Sequence, residues 1–273
     1  MANWLITGCS TGIGRGIAKA ALAAGHNVAA TARRVDALAD IVSAYPETAA
    51  ALRLDLNDEA SMETAVRDAE ARFGTIDVLV NNAGYGYRAA IEESDAGQVA
   101  AMFQVNLFGP AKLMGKVLPS MRERRSGVIV NVSSIGAVRA AVGNGYYSAS
   151  KAAFELVSDA VAKEAGHLGI RVMIVEPGAF RTSFYDSLKG SSTAIADYDD
   201  SVAGMRLENM VNNHDQAGDP DKAGELIVEL IDSGSFPSRL ALGSDAVRVV
   251  RSELEARLAE VGAWESYSIR TDF

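Results

Sequence analysis

The stretch of sequence that decides the fold lies near the amino terminus and reads Thr7-Gly8-Cys9-Ser10-Thr11-Gly12-Ile13-Gly14-Arg15-Gly16. The apolar run before it, Trp4 to Thr7, predicts a strand, and the run after it, Ile17 to Leu22, predicts a helix. A strand, a glycine-rich turn and a helix amino terminus form an anion site, because unpaired backbone N–H groups and the positive end of the helix dipole face the ligand. The spacing of Gly8, Gly12 and Gly14 departs from the usual Gly-x-Gly-x-x-Gly fingerprint, so this loop alone also allows a purely structural turn.

Further β-favouring runs along the chain alternate with longer segments of helical periodicity. Such alternation implies parallel strands joined by right-handed crossovers, and runs that are apolar on both faces fit a sheet covered by helices on both sides. We therefore predict an α/β fold, a Rossmann-type doubly wound parallel sheet of seven strands, in a single dinucleotide-binding catalytic domain over residues 1–273. The other six strands are predicted at Val28 to Thr31, Leu52 to Leu54, Val78 to Asn81, Val128 to Val132, Val172 to Val175 and Leu240 to Leu242.

One segment interrupts the regular alternation, between Thr182 and Gly218. Aromatic and methionine residues are spread through it among Ser, Asp and Asn, with weak periodicity, and long irregular insertions in compact domains are usually functional or mobile. We predict a lid that covers an apolar, ring-containing substrate, while a plain surface excursion remains the alternative. Helices are predicted after it, at Asp221 to Asp232 and Ala246 to Val261.

Composition excludes several function classes. The chain has 273 residues, with 26 Lys and Arg against 35 Asp and Glu, which gives a formal net charge of −9. Nucleic acid is therefore excluded as the main partner, because that affinity comes chiefly from Lys and Arg. With Cys9 as its single cysteine and no apolar run near the roughly 18 residues of a membrane span, the chain is expected in the cytoplasm, away from membranes. Three scattered histidines predict no metal site.

The end of the second predicted strand bears on coenzyme choice. In a dinucleotide fold an acid at this place binds the 2′-hydroxyl of NAD, whereas this chain reads Ala29-Ala30-Thr31-Ala32-Arg33-Arg34. Two arginines favour a 2′-phosphate, which a guanidinium holds with charge-assisted hydrogen bonds. We predict NADP(H) in preference to NAD(H). Two alternatives stay open: the arginines cap the strand on the surface, or Asp36 turns back towards a hydroxyl.

A tyrosine and a lysine in Tyr147-Ser148-Ala149-Ser150-Lys151 are spaced to act together. Their i, i+4 spacing at the start of a predicted helix places both on one face. A phenol with a pKa of about 10 is a poor acid–base group at neutral pH, but a lysine cation about 4 Å away contributes on the order of 4 kcal/mol, or about three pKa units. The pair suits proton exchange with an oxygen whose carbon exchanges a hydride with nicotinamide. A structural Tyr/Lys pair would give the same isolated motif.

The order of these features resembles the short-chain dehydrogenase/reductase family of the common single-domain type, in its hydroxysteroid and carbonyl reductase branch. The likeness extends from the glycine loop through Thr182, and the closing helix and strand also fit it. Besides the two motifs above, the family's pattern is matched by Asp55, Asn81-Asn82-Ala83-Gly84, Asn106, Ser133-Ser134, Pro177-Gly178 and Thr182.

The resemblance implies a catalytic set of Asn106, Ser134, Tyr147 and Lys151. Tyr147 would be the acid–base, and Lys151 would lower its pKa and bind the nicotinamide ribose. Ser134, with Ser133 as the weaker candidate, would bind the substrate oxygen. Asn106 would hold a water through its backbone at a local helix disturbance.

The resemblance also implies where the coenzyme binds. Gly8, Ser10, Thr11, Gly12, Ile13 and Gly14 would hold its pyrophosphate, with Arg33 and Arg34 at the adenosine phosphate. Asp55 is expected at the adenine, Asn82, Ala83 and Gly84 beside the adenine ribose, and Phe180 and Thr182 at the carboxamide. Leu56, Pro177 and Gly178 are further residues expected to bind the coenzyme.

Together these expectations describe an NADP(H)-dependent oxidoreductase that interconverts a ketone or aldehyde and an alcohol, acting on a bulky apolar or cyclic small molecule. A 3-oxoacyl thioester reductase is the alternative within the family, for which Arg88 and Arg139 would supply positive charge. A non-catalytic NADP(H)-binding sensor is the alternative from another class. The resemblance further implies a homodimer or homotetramer, paired through the helices at Gly97 to Met121 and after Lys151.

Overall fold

The protein was analysed as a computed structural model, which describes residues 1–210 and 214–273. Residues 211–213, a part of the predicted lid, lie outside the described residues. Within the described chain, the strands are β1 (Asn3–Ile6), β2 (Asn27–Ala32), β3 (Ala49–Arg53), β4 (Val78–Asn81), β5 (Tyr87–Arg88), β6 (Gly127–Val132), β7 (Ile170–Pro177), β8 (Lys189–Gly190) and β9 (Arg239–Leu242). The α-helices are α1 (Gly12–Ala23), α2 (Ala39–Ala44), α3 (Glu59–Phe73), α4 (Ala96–Phe103), α5 (Gly109–Arg124), α6 (Gly145–Ala165), α7 (Asp199–Val202), α8 (Pro220–Asp232) and α9 (Ser244–Ser268).

Seven strands form one parallel sheet in the order β3-β2-β1-β4-β6-β7-β9. The predicted seven-stranded doubly wound sheet is therefore confirmed. The strand order reverses between β1 and β4, which are direct neighbours. Ligands of open α/β sheets bind outside the carboxyl ends of the strands at such a switch point, and the glycine loop after β1 and Asn82 after β4 meet there.

Strand β1 shows why the sheet is covered on both faces. Trp4 and Ile6 pack into a cluster with residues of α1 and α8, whereas Leu5 between them packs into a second cluster with residues of α3, α5 and α6. All three side chains are buried. Burying a large apolar side chain contributes about 1.5–3 kcal/mol, so each face of this four-residue strand fixes its position between two helical layers.

Some element boundaries differ from the sequence prediction. Strand β3 begins at Ala49, three residues before the predicted start, because Ala49 to Ala51 pair with β2 although alanine is a weak strand former. The last helix, α9, continues to Ser268, beyond the predicted end at Val261, and Ala246 is its one residue that the described structure buries. Good helix formers continue the helix past the point where burial ends.

Candidate active site

A cleft of about 950 Å³ opens at the carboxyl ends of the central strands. Most residues predicted for catalysis or coenzyme binding line it, although they come from seven separate parts of the chain. Three predicted residues do not: Gly14, Arg34 and Asn106. A groove of about 570 Å³ beside α1, α2 and α8 contains none of the predicted residues. The predicted residues that line the cleft are Gly8, Ser10, Thr11, Gly12, Ile13, Arg33, Asp55, Leu56, Asn82, Ala83, Gly84, Ser134, Tyr147, Lys151, Pro177, Gly178, Phe180 and Thr182.

The glycine loop is built for close backbone approach. Gly12 has a φ of +64°, in the left-handed region that favours glycine. Gly14 lies just inside α1, where an added Cβ would be 2.2 Å from the Nδ2 of Asn82 and 2.7 Å from the carbonyl oxygen of Gly8. Gly14 therefore acts beneath the cleft, by letting α1 pack against the loop. Thr11 caps α1 without a side-chain hydrogen bond to the helix, which leaves the first N–H groups of the helix available to an anion.

Thr7 and Asn82 fix this loop to strand β4. The Thr7 hydroxyl accepts hydrogen bonds from the backbone N–H of Asn82 at 2.9 Å and of Ala83 at 3.1 Å, and it donates to the carbonyl of Val80. In return, the Asn82 amide donates to the carbonyl of Thr7 at 2.9 Å. The side chain of Asn82 thus holds the loop in place from beneath the cleft.

Only one of the two arginines predicted for coenzyme binding lines the cleft. Arg33 and Asp55 both line the cleft. Arg34 does not line it, and is exposed at the start of a short 3-10 helix, Val35–Leu38. Burial alone would raise the pKa of Asp55, but hydrogen bonds from Asn57 and the positive charge of Arg33 outweigh it and hold the pKa below its usual value. Asp55 is consequently an ionised hydrogen-bond acceptor in the lining of the cleft.

Helix α6 carries Tyr147 and Lys151 into the centre of the cleft, where both are buried. The Lys151 Nζ donates a hydrogen bond of 2.9 Å to the carbonyl of Val132, at the end of β6. Ser134 follows that strand directly, and its hydroxyl accepts from the backbone N–H of Gly136 and interacts with the Tyr147 phenol. Ser133 donates instead to the carboxylate of Glu155 at 2.7 Å. Of the two serines, Ser134 is the one directed to Tyr147.

The electrostatics of Tyr147 correct the sequence prediction that Lys151 lowers its pKa. Burial raises the pKa of Tyr147 above its usual value, and Ser134 and the charge of Arg88 only partly oppose this. Burial also lowers the pKa of Lys151, to about 8, against the opposing charge of Glu155. The Lys151 ammonium is directed to a carbonyl and is itself desolvated, so its charge does not outweigh the effect of burial on the Tyr147 phenol. Tyr147 is therefore a neutral phenol with a proton to donate.

Asn106 lies at the helix disturbance that the resemblance implies. A π-helical turn, Gln104–Phe108, joins α4 to α5 and contains this residue. The Asn106 Nδ2 donates to the carbonyl of Tyr85 at 3.0 Å and to the Ser150 hydroxyl at 3.2 Å, and its Oδ1 accepts from the N–H of Tyr85. The side chain thereby ties the segment after β4 to α6, one residue from Lys151. π-helical turns are frequent at functional sites.

Residues of the predicted lid line one end of the cleft, near Tyr147. Phe184 lies with its ring 5.8 Å from that of Tyr147, and β8 pairs with β5. The described lid residues otherwise form short helical turns, with α7 among them. The lid therefore places Phe184 next to Tyr147, and it places Tyr185 and Met205 in the lining of the same cleft.

An ion pair that the sequence did not indicate anchors the lid. Arg206 binds the carboxylate of Glu93, and both are nearly fully buried; Glu93 also accepts from the N–H of Ile195 at 2.9 Å. The hydrogen bond from Arg206 lowers the pKa of Glu93 to about 2, from an ordinary value of 4.5. Since 113 residues separate the two, no local pattern could reveal the pair.

We expect Arg206→Met or Glu93→Gln to loosen the lid. The first leaves the buried Glu93 carboxylate without its arginine, and the second leaves the buried Arg206 with only its ion pair to Asp199. Chymotrypsin cleavage within the lid should become about tenfold faster at neutral pH, as local opening exposes the backbone. Tyr198→Phe, which removes an exposed hydrogen bond to Glu92, is the matched control and should change the rate little. In the wild type the same loosening should develop only as the pH falls from about 4.5 towards 2, since the pKa of Glu93 is depressed. Equal cleavage of all three variants would contradict this anchoring.

The remaining reactive residue types offer no further chemistry at the site. Burial raises the pKa of the Cys9 thiol to about 12, so it stays protonated. Within residues 1–210 and 214–273, no three His, Cys, Asp or Glu side chains come together as metal ligands would. In the same residues, no helix has the length and apolar character needed to cross a membrane.

Comparisons with known proteins agree with this geometry. The family model for short chain dehydrogenase matches residues 2–191. Oxidoreductase BOA17 of Botryotinia fuckeliana is 33% identical over 267 residues, covering 97% of each chain. The crystal structure of a short-chain dehydrogenase from Streptomyces avermitilis covers 100% of each chain, with 43% identity and a TM-score of 0.91.

Solved structures of more distant relatives contain either coenzyme. An alcohol dehydrogenase from Thermococcus sibiricus, complexed with 5-hydroxy-NADP, is 26% identical over 88% of this chain and 94% of its own, with a TM-score of 0.71. A 3-ketoacyl-(acyl-carrier-protein) reductase from Brucella melitensis, complexed with NADH, is 27% identical over 87% of this chain and 94% of its own, with a TM-score of 0.72. The choice between the two coenzymes must therefore be argued from this chain's own residues.

Proposed function

The chain belongs to the short-chain dehydrogenase/reductase family, and from that premise we propose that this oxidoreductase uses NADP(H) to interconvert a ketone or aldehyde and the corresponding alcohol. The observation that carries the proposal is the buried, neutral Tyr147 phenol next to Ser134, in a cleft whose other end is the glycine loop. A binding site alone would not need an acid beside a second hydroxyl at its centre. Consumption of NADPH in the presence of carbonyl compounds tests the proposal.

The residues present fit a dinucleotide. The glycine loop leaves no side chain between the backbone and a pyrophosphate, and the amino terminus of the twelve-residue helix α1 faces the same space. Arg33 and Asp55 lie at the adenosine end, and Lys151 lies at the centre, where it can bind ribose hydroxyls. When bound, the nicotinamide of such a coenzyme supplies a hydride to a carbonyl carbon or removes one from an alcohol.

Tyr147 then completes the reduction by giving its proton to the carbonyl oxygen as that oxygen gains negative charge. Ser134 donates a hydrogen bond to the same oxygen and so holds it in line with the phenol. In the reverse direction Tyr147 receives the proton that the alcohol loses. The atoms balance: the carbonyl gains one hydride and one proton, and the product is the alcohol.

Lys151 and Asn106 support Tyr147 in different ways: Lys151 supplies a positive charge, and Asn106 helps to position helix α6. The Lys151 ammonium is fixed by the Val132 carbonyl, within one helical turn of Tyr147. When the phenol has given up its proton, this ammonium is the cation on the same helix face that offsets the resulting negative charge. Asn106 holds α6 against the segment after β4 through its hydrogen bonds to Tyr85 and Ser150.

The preference for NADP(H) rests on Arg33, and its loss has a measurable effect. We expect Arg33→Ala to weaken NADPH binding about 10- to 100-fold, since one charge-assisted hydrogen bond contributes about 1.5–3 kcal/mol. NADH binding should change little. Arg34→Ala is the matched control, because Arg34 lies outside the cleft. Fluorescence titration of the wild type and both variants with each coenzyme measures the dissociation constants, and an equal loss of NADPH affinity in the two variants would contradict the role of Arg33.

We further propose that the protein forms a homodimer or homotetramer through the surface of α4, the π-helical turn, α5 and α6. Two large apolar side chains on this surface are exposed, Phe108 at 52% and Leu156 at 70%. Such exposed apolar side chains are typical of contact surfaces between subunits.

A further inference from the structure

The substrate end of the cleft contains an arginine whose charge the protein leaves unpaired. The Nε and Nη1 atoms of Arg88 are buried and have no hydrogen-bond partner among the described residues. Buried polar groups are almost always hydrogen-bonded, and an unpaired buried charge is among the costliest features that a fold can contain. Since Arg88 lines the cleft, a ligand that enters the cleft can supply the missing partner.

The backbone holds Arg88 rigidly in this place. It belongs to β5, where it pairs with Gly190 of β8, and the next residue, Ala89, donates from its N–H to the carbonyl of Gly143 at 3.0 Å. An added Cβ at Gly190 would be 3.0 Å from the Arg88 carbonyl oxygen. The lid and the segment after β4 therefore fix the backbone from which the Arg88 side chain enters the cleft.

The Arg88 guanidinium is close enough to Tyr147 to interact with it electrostatically. Its charge acts on the phenols of Tyr147 and Tyr185, and burial lowers the pKa of Arg88 itself. An anion bound to the guanidinium would relieve that burial cost, and it would lie in the same compartment as the carbonyl on which Tyr147 acts.

The charges that line the cleft favour an anion at this end. The described lining contains two carboxylates: Asp55 is at the adenosine end, and Asp245 accepts a hydrogen bond from the N–H of Ala179. The substrate end instead carries Arg88 within and Arg139 and Lys189 at its exposed mouth. A positive compartment in a protein with a net charge of −9 attracts anions selectively.

We propose that Arg88 is a specificity-determining residue that binds a carboxylate of the substrate, so that the protein acts on oxo acids with an apolar body. The apolar part of such a substrate would contact the aromatic rings of Phe184 and Tyr185 and the side chain of Met205, which line the same end. The guanidinium fork matches the two oxygens of a carboxylate. This inference rests on the proposed reductase function and narrows its substrate class.

Matched pairs of substrates test the inference. Benzoylformate and 3-benzoylpropionate are each compared with their methyl esters, which keep the carbonyl and the ring but lose the negative charge. With NADPH, wild-type kcat/KM should be at least about tenfold higher for one acid than for its ester, as expected for one charge-assisted hydrogen bond. Arg88→Met should lower kcat/KM for that acid about 10- to 100-fold and leave the ester within about threefold. An ester that reacts as well as its acid, in both pairs, would overturn the inference.

Arg139→Met is the control variant, since it removes the same charge from the exposed mouth of the cleft. It should change kcat/KM for the acid by less than about threefold, because an exposed charge is screened by solvent and salt. A loss of kcat/KM as large as that of Arg88→Met would show that the preference for acids comes from the overall positive charge at the mouth of the cleft. It would overturn the specific role of Arg88.

Binding of an unreactive acid separates this inference from the proposed function. 4-Phenylbutanoate has no ketone or aldehyde group to be reduced. Its binding to the complex of the protein with NADPH is measured by NADPH fluorescence. It should bind to the wild type and bind at least about tenfold more weakly to Arg88→Met. If no carbonyl compound is reduced but this difference is found, the reductase function fails and the anion site stands. If esters and acids are reduced equally and 4-phenylbutanoate does not distinguish the two proteins, the reductase function stands and the anion site fails.

Discussion

Tyr147→Phe should lower kcat for carbonyl reduction about 10³-fold. A positioned general acid contributes on the order of 10²–10⁴ to the rate, and here the phenol is buried, neutral and next to Ser134. Phenylalanine keeps the ring that packs near Phe184 and removes only the hydroxyl. NADPH affinity, measured by fluorescence titration, should therefore stay within about twofold of the wild-type value.

The neighbouring tyrosine provides the control for this experiment. Tyr146 lies on the same helix and does not line the cleft, so Tyr146→Phe should retain nearly full kcat. A residual kcat above about a tenth of the wild-type value in Tyr147→Phe, or a comparable loss in Tyr146→Phe, would show that another group supplies the proton.

Gly14→Ala should weaken NADPH binding at least about 100-fold, although Gly14 does not itself line the cleft. The added Cβ would be 2.2 Å from the Nδ2 of Asn82 and 2.7 Å from the Gly8 carbonyl oxygen. These contacts are far inside van der Waals distance, so the loop must move away from Asn82 and Thr7. The first N–H groups of α1 would then lose their alignment with the pyrophosphate, and two lost charge-assisted hydrogen bonds account for a change of this size.

Gly115→Ala is the matched control, because an added Cβ there meets no atom within 4 Å. Gly115 lies inside α5, where alanine is the better helix former by about 1 kcal/mol, so this variant should bind NADPH normally and melt at a slightly higher temperature. Circular dichroism shows whether Gly14→Ala is folded when its affinity is measured. A folded Gly14→Ala protein with wild-type affinity would contradict the account of the glycine loop.

The sheet could be predicted from the sequence because its central strands are apolar on both faces. Runs such as Val78 to Val80 are apolar at every position and are bounded by polar residues, which leaves few alternative assignments. The boundaries that differ lie where the signal is weak, as at the alanines that begin β3, or where a helix continues into solvent, as in α9. The periodic pattern of apolar residues in a sequence reflects burial. An exposed element lacks this pattern, so its end cannot be located from the sequence.

The site was predictable to a different extent at each residue. The spacing of Tyr147 and Lys151 and the glycine-rich loop are local patterns that can be read from the sequence. The fold brings both patterns into one cleft. The pKa of Tyr147 was predicted in the wrong direction because it depends on burial and on where the lysine points, and sequence spacing reports neither. The pairing of Arg206 with Glu93 and the unpaired guanidinium of Arg88 are properties of the assembled lid, which no short stretch of sequence contains.

The most direct test of the central claim is the initial rate of NADPH oxidation by the wild-type protein, with NADH in parallel, across aliphatic, aromatic, steroidal, oxo-acid and acyl-thioester carbonyl compounds. We expect turnover of at least one class, with NADPH preferred over NADH and with the activity lost in Tyr147→Phe. Tight NADPH binding without turnover of any compound would contradict the claim and would favour a coenzyme-binding sensor instead.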